Sequence, residues 1–272
     1  MRKNFLYLLI AASILMASCS AGNHIKRHSA ADNSSTNITV MTYNVHHCNP
    51  PEKPGVIDVD ATAAVIKQQN ADLVALQEID VNTHRSGKIN EAEQLATKAG
   101  YPSFFFAKAM DYDGGEYGIL ILSKYPLSET KGYRLPMDSV KGGEQRMLAT
   151  GTVTLRGKTI RFGCTHLEAY NKISRKLQIK EISRIAGETS LPFIVAGDFN
   201  ANEGSEVINI LDENFTRTCN NCPPTFWEDG ETGAIDFIAS KPKGTFKVLS
   251  HEVVQNKEAS DHMPVVAELQ LK

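Results

Sequence analysis

The sequence predicts one α/β domain in which strands and helices interleave, preceded by a short apolar leader. Two observations predict it. From residue 38 to residue 272, short β-branched and apolar runs alternate with stretches of helical spacing, with no internal repeat and no linker. Polar residues of a narrow kind also recur where those runs end: Asn44, Glu78, His166, Asp198, Asn200 and Asp236. Strand ends are where a packed sheet presents side chains to a shared cleft.

The bulk properties bound the answer. A chain of 272 residues is long enough for one large domain or two small ones. With 42% hydrophobic and 22% charged residues it can bury a sizeable core, which excludes global disorder. The net charge of −2 argues against a general polycation, so any polyanion must be held locally, by a metal or a few Arg and Lys.

The elements read as follows. Ile38 to Tyr43 is a β-branched, alternating first strand. Asp60 to Gln69 carries helical spacing with Asp60 as its cap, and Asp72 to Gln77 is a buried strand. Glu91 to Ala99 reads as a helix stopped by Gly100. Phe104 to Ala107 and Tyr117 to Leu122 are strands, and Pro126 closes the second. Arg146 to Leu155 and Lys158 to Thr165 form a hairpin about Arg156-Gly157. Ile173 to Thr189 is helical, Phe193 to Ala196 is a buried strand, and Ser205 caps a short helix to Leu211. Ile235 to Ala239, Phe246 to His251 and Val265 to Leu271 close the domain as strands.

The leader is a targeting signal. Arg2 and Lys3 precede an apolar run from Phe5 to Ala17 that only Ser13 interrupts, too short to span a bilayer and right for a signal peptide. Met16-Ala17-Ser18-Cys19 resembles the bacterial lipoprotein cleavage box, which would make Cys19 the lipidated first residue; an ordinary signal peptide cut nearby, or an uncleaved anchor, is the alternative. Residues 20–37 are small and polar and read as a flexible tether. Ser20-Ala21-Gly22 lacks an acidic run of the kind used for surface export, so the periplasmic side of a membrane is expected.

Cys219 and Cys222 precede Pro223-Pro224, in a loop. A zinc site would need two further ligands at matching spacing, and a thioredoxin-like role would need a strand-to-helix context. A loop disulfide or two free thiols fits better. His46, His47 and Cys48, with Cys164 and His166, offer soft-metal ligand types. In an extended chain, however, His46 and His47 point to opposite sides, and a buried Cys is commonly a small hydrophobe.

Each polar strand end taken singly is an ordinary turn former or cap. Together, with Asp261 and His262, they assemble carboxylates, amides and histidines. That set suits displacement at a phosphoester. Hard cations that offset phosphate charge prefer oxygen ligands. A histidine with a carboxylate behind it, as Asp236 would stand behind His262, moves or orients a proton near neutral pH.

In order, Thr42-Tyr43-Asn44, Gln77-Glu78, Ile121-Leu122-Ser123, Gln145-Arg146, Thr165-His166-Leu167, Gly197-Asp198-Phe199-Asn200, Ile235-Asp236-Phe237-Ile238 and Ser260-Asp261-His262 resemble the signature of the endonuclease/exonuclease/phosphatase family. The resemblance covers residues 38–272. It implies a four-layer α/β sandwich, two mixed sheets face to face with helices outside, and hydrolysis of a phosphodiester or phosphomonoester with Mg²⁺ or Mn²⁺. It implies Glu78 as principal metal ligand, with Asn44 and Asp261 beside the same ion. Asp198 and Asn200 would position the attacking water and the phosphate. His262, oriented by Asp236, would serve as acid/base or phosphate contact, and His166 would bind a phosphate oxygen. Arg146 would steady the motif strands or touch phosphate. Glu116, just before a strand, stands where nucleases of the family can carry an acid paired with that histidine, which would place it at the substrate; a solvated loop carboxylate is the alternative.

Asp80 to Gly87 resembles a segment of a bacterial branch of metal-dependent hydrolases, and its Arg85 is expected to read substrate at the cleft mouth. The pattern departs at Ile119, where many members carry Asn, which leaves the substrate class open. Nucleic acid, a phospholipid headgroup and a soluble phosphorylated metabolite all compete. The acidic balance weakens the first, and a lipid anchor would keep the protein at a membrane. No protein partner is expected, and the chain reads as a monomer. A non-catalytic, lipid-anchored binding protein of the same fold is the alternative, and it would show damage in the motif set.

Overall fold

The computed structural model describes residues 37–140, 143–227 and 233–272. The leader, Cys19 and the expected tether lie outside these residues, apart from Asn37, which opens the first strand.

Twelve strands form two six-stranded mixed sheets among the described residues. The first runs β11 (Phe246–Val253), β12 (Val265–Leu271), β1 (Asn37–Asn44), β2 (Leu73–Val81), β4 (Gly115–Ser123), β3 (Ser103–Tyr112). The second runs β5 (Leu127–Arg134), β6 (Met147–Leu155), β7 (Lys158–His166), β8 (Phe193–Asp198), β10 (Asp236–Lys241), β9 (Thr216–Arg217). One parallel pair lies within each sheet, β1 with β2 and β7 with β8. A parallel pair needs a crossover, and helices α1 (Val59–Gln69) and α3 (Lys172–Gly187) supply the two.

Alternation along the strands builds the layers. Val40, Leu73 and Ala75 face Phe162, Cys164 and Ile194 across the space between the sheets. Their neighbours Met41, Val74 and Leu76 turn outward against α1 and α2 (Glu91–Ala99). On the far side Leu148, Val195 and Phe237 pack under α3 and α4 (Glu206–Asn214). The central strands of each sheet are thus buried on both faces, which is why they read as continuous apolar runs. Phe162 is fully buried, and truncating such an aromatic to alanine costs about 3–5 kcal/mol.

Helix α2 and strand β12 coincide with the expected residues. The hairpin at Arg156-Gly157 has both residues at positive φ (48° and 76°), as a tight two-residue turn requires. Ser205 caps α4 by accepting from the Ile208 amide. Other expectations need correction. The cap of α1 is Asp58, not Asp60: its carboxylate accepts from the Ala61 amide. Strand β5, absent from the expected elements, is Leu-Ser-Glu-Thr-Lys-Gly-Tyr-Arg at a sheet edge. With one face wet, it carries none of the apolar signal of a central strand. Ile119, where the family pattern has Asn, is buried in the core between the sheets. Cys219 and Cys222 form a disulfide, which resolves the two alternatives left open for them.

Candidate active site

Strand register creates the site. In the second sheet His166, Asp198 and Asp236 stand side by side in one row: β7 pairs His166 with Asp198, and β10 pairs Asp236 with Asp198. Gly197 permits this close alignment. A Cβ there would lie 2.0 Å from the Thr165 carbonyl oxygen, a contact no side chain can make. In the first sheet Asn44 is the last residue of β1. So the ends of both parallel pairs meet at one edge of the sandwich, and Asn44 spans it.

Glu78 arrives by a different device. Gln77 and Glu78 together stand opposite Ile119 alone, a β-bulge in β2. Leu73 and Ala75 face the inter-sheet core, whereas Ile79 packs on the helix side with Val74 and Leu76. The extra residue therefore shifts the alternation by one. Glu78 adopts φ 61°, in the left-handed region that a non-glycine residue rarely enters. Opposite the bulge a Cβ on Gly118 would lie 2.3 Å from the Ala107 carbonyl oxygen, so that position too must be glycine.

One amide joins the two halves. Asn44 Nδ2 donates to Glu78 Oε1 at 3.0 Å and to Asp198 Oδ2 at 3.1 Å. Its Oδ1 accepts from the His46 amide at 3.1 Å, which fixes the orientation. Asn44 therefore presents nitrogen to the carboxylates. In this orientation Asn44 bridges Glu78 and Asp198 through its nitrogen, while a hard cation binds oxygen.

The imidazoles have definable proton states. Arg146 Nη1 lies 3.0 Å from His166 Nδ1. A guanidinium only donates, so Nδ1 accepts and the proton sits on Nε2, which faces Asp198 Oδ2 at 3.5 Å. Burial and then the Arg146 charge push the His166 pKa well down, so the ring is neutral. His262 is the opposite case. Its Nδ1 donates to Asp236 Oδ2 at 2.9 Å, and its Nε2 faces Asp198 Oδ2 at 3.8 Å. Burial alone would lower its pKa, but the Asp236 carboxylate outweighs burial and raises it to about 10. Asp198, enclosed and beside Asp236, is pushed up by burial first and by that like charge second.

Two residues that the sequence did not flag complete the site. Thr225 Oγ1 accepts from the Ile235 and Asp236 amides and so directs its own proton to Asp236 Oδ2, at 2.6 Å. Phe226 packs its ring 5.0 Å from that of His262. Both follow Pro223-Pro224, which reads as plain loop; the hydroxyl just upstream of an aromatic was the only signal.

The remaining expected residues divide. Arg146 is buried, salt-bridged to Glu144 at 2.7 Å, and holds His166 Nδ1. Asn200 turns its Nδ2 to the Leu167 carbonyl at 2.9 Å and lines the cleft beside Asp198. Arg85 also lines the cleft. Glu116 does not pair with His166. Its carboxylate bonds Lys108 at 3.0 Å on the neighbouring strand, and Arg146 occupies the place expected for it. The chain after Asn44 also does not stay extended. His46, His47 and Cys48 adopt φ of 48°, 42° and 53°, a left-handed turn that aims His46 Nδ1 at Asp261 (3.8 Å) and His47 Nδ1 at Glu78 (4.0 Å). Cys48 and Cys164 lie in separate parts of the core, which removes the soft-metal cluster.

Glu78, Asp261, Asp198 and both catalytic-type histidines open onto one cleft of about 300 Å³. Glu78 and Asp261 offer this cleft carboxylate oxygens, the ligand type that a hard divalent cation prefers. Burial would raise the Glu78 pKa, but the adjoining His47, Asn44 and His166 overcome it and hold the carboxyl well below the usual carboxylate range. Asp198, Asp236 and His262 also bring donor atoms within 4.8 Å of one another. There, however, His262 Nδ1 and Asp236 Oδ2 are bonded to each other, a pairing that suits proton handling.

The model of the endonuclease/exonuclease/phosphatase family matches residues 41–262. Solved structures share the fold. An endonuclease/exonuclease/phosphatase from Beutenbergia cavernae is 24% identical over 87% of this chain and 72% of its own, with a TM-score of 0.72. One from Bacteroides vulgatus is 22% identical over 87% of this chain and 100% of its own, with a TM-score of 0.72. The Bacteroides thetaiotaomicron mannosyl-6-phosphatase is 17% identical over 85% of this chain and 99% of its own, with a TM-score of 0.68. No curated protein matches the chain by sequence.

Proposed function

The chain belongs to the endonuclease/exonuclease/phosphatase family, and from that premise we propose that it is an exported, divalent-metal-dependent phosphoesterase that drives water onto the phosphorus of a phosphodiester or phosphomonoester. The observation that carries this reading is the row His166, Asp198, Asp236, with His262 hydrogen-bonded behind it and Glu78 joined to it through Asn44. Glu78 and Asp261 would hold the cation, Mg²⁺ or Mn²⁺, which when bound would supply positive charge to offset that of the phosphoryl group. Neutral His166 offers Nε2–H to a phosphoryl oxygen, with Arg146 holding the tautomer. Asp198, its basicity raised by burial, takes a proton from the attacking water, and Asn200 flanks that water. The imidazolium of His262, fixed by Asp236, faces the charge that builds during displacement.

Export rests on the leader and the Met16-Ala17-Ser18-Cys19 box, with lipidation at Cys19 and a periplasmic location. The Cys219–Cys222 disulfide suits an oxidising compartment. A non-catalytic binding protein would have no need of an intact row.

The test is a hydrolysis screen of the fragment from Ser20 onward, with Mg²⁺ and with EDTA. Substrates are plasmid DNA, sphingomyelin, phosphatidylinositol, inositol phosphates and bis-p-nitrophenyl phosphate. We expect EDTA-sensitive turnover of at least one, reduced about 10³-fold or more in Asp198→Ala. Metal binding with no turnover on any of them would favour the binding protein.

A further inference from the structure

Behind the rim of the cleft, Arg85 is held in a way that the proposed hydrolysis does not use. Its Nε and Nη2 donate to the two oxygens of Asp80, at 2.6 and 2.9 Å. Asp80 is fully buried and also accepts from Thr83 Oγ1 (2.8 Å) and Ser86 Oγ (2.7 Å), so its acceptor capacity is taken up. The guanidinium lies over Tyr112, 4.5 Å from the ring centre, with Tyr117 at 5.8 Å. The main chain is anchored as well: the Arg85 amide donates to Asp113 at 2.6 Å. A side chain this constrained keeps 30% exposure and faces the cleft, and its Nη1 has no partner among the described residues.

What such a group can recognise follows from its charge and edges. The guanidinium is already neutralised by Asp80, and of the other charges lining the same cleft Arg146 is salt-bridged to Glu144 and His262 is bonded to Asp236, while Glu78 and Asp261 add carboxylates. A second phosphate would meet little net positive charge there. The free edge carries only N–H donors, which suit neutral oxygen acceptors, and a planar fork fixed in advance loses little entropy on binding them. Met110, Tyr170 and Phe226 supply apolar surface in the same cleft. A cleft of about 300 Å³ takes one ring, not a duplex. We propose that Arg85, clamped by Asp80 and stacked on Tyr112, forms a leaving-group subsite that reads hydroxyl oxygens, so that the preferred substrate is the phosphoester of a small sugar or cyclic polyol. This rests on the hydrolase reading above.

The experiment compares matched esters with Mg²⁺: mannose 6-phosphate, n-hexyl phosphate and thymidine 5′-phosphate, each also as its methyl diester. Wild-type enzyme is expected to prefer the hexose ester over the hexyl ester by about 10-fold or more in kcat/KM, through KM. Arg85→Ala and Arg85→Lys should collapse that ratio toward one, because a lysine cannot reproduce the fork. Tyr112→Leu, which removes the platform and leaves the Asp80 network intact, should shift the ratio the same way. A wild-type preference for the hexyl or thymidine ester overturns the subsite, as does a hexose preference that survives Arg85→Ala. If no ester turns over, even bis-p-nitrophenyl phosphate, the hydrolase reading fails. The subsite is then read by calorimetry with mannose 6-phosphate: binding lost in Arg85→Ala retains it, and absent or Arg85-independent binding overturns it.

Discussion

Glu78 and Asp198 touch the same amide, Asn44, yet their surroundings drive them apart. Glu78 sits on a bulge, partly exposed, with His47 and His166 nearby, and its pKa is held below the usual carboxylate range. Asp198 sits mid-row, enclosed, with Asp236 beside it, and its pKa is pushed up. Two carboxylates of ordinary intrinsic acidity thus acquire different work, one fit to stay charged beside a cation and the other fit to take a proton. Such opposed shifts in neighbouring acids are a mark of a site that divides acid, base and charge-holding roles.

The strongest way to break the contrast is to neutralise Glu78. Glu78→Gln keeps the shape and removes the charge. Metal affinity and kcat should fall together, with kcat down on the order of 10³-fold, measured by metal titration alongside turnover. Wild-type metal affinity in this variant would remove Glu78 from the cation site.

A smaller effect sharpens the other half. Thr225→Val keeps the side-chain shape but deletes both the proton given to Asp236 Oδ2 and the acceptor of the Ile235 and Asp236 amides. We expect kcat to drop about 10- to 100-fold with KM and metal affinity held, since the support behind the Asp236–His262 pair is loosened while Glu78 and Asp261 are untouched. Equal losses in metal affinity and kcat would mean that the two halves are not separable in this way.

The smallest effect comes from a second opposed pair, behind Arg85. Asp80 is lowered, its burial outweighed by Arg85, Ser86 and Thr83, while buried Glu91 is raised from 4.5 to about 8 by burial and the Asp80 charge. A carboxyl with a raised folded pKa binds its proton more tightly in the native state. Stability from this group is therefore present at low pH and is lost as pH rises from 4.5 through about 8. Glu91→Gln should flatten that slope, by at most a few kcal/mol on the order of the shift. Thermal melts between pH 5 and pH 8 with the same slope in both proteins would exclude Glu91 as its source.

The residues that were legible in the sequence share a physical trait. Buried strands and capped helices announce themselves by apolar runs and by Ser or Gly at their ends, so β12, α2 and the Ser205 cap fell where expected. The strand-end acids and histidines were legible because chemistry narrows their types. What escaped depends on three-dimensional neighbours. Edge strand β5 is polar and mostly exposed, and β9 has two residues, so neither builds a pattern. The partner of His166 is Arg146 and not Glu116, a fact set by which side chain of the neighbouring strands turns inward. The left-handed turn at His46, His47 and Cys48 cannot be read from residues that ordinarily avoid it.

The row His166, Asp198, Asp236 has one more consequence. Side chains alternate across a strand with a period of two, so sliding β8 by a single residue would present Gly197 or Phe199 where Asp198 now stands. Chemistry in this protein is therefore a gauge of alignment. A chain could reach the right sheets in the wrong register, look folded by its secondary structure, and still be inert. The close approach of Gly197 to Thr165 marks the one alignment in which the gauge reads true.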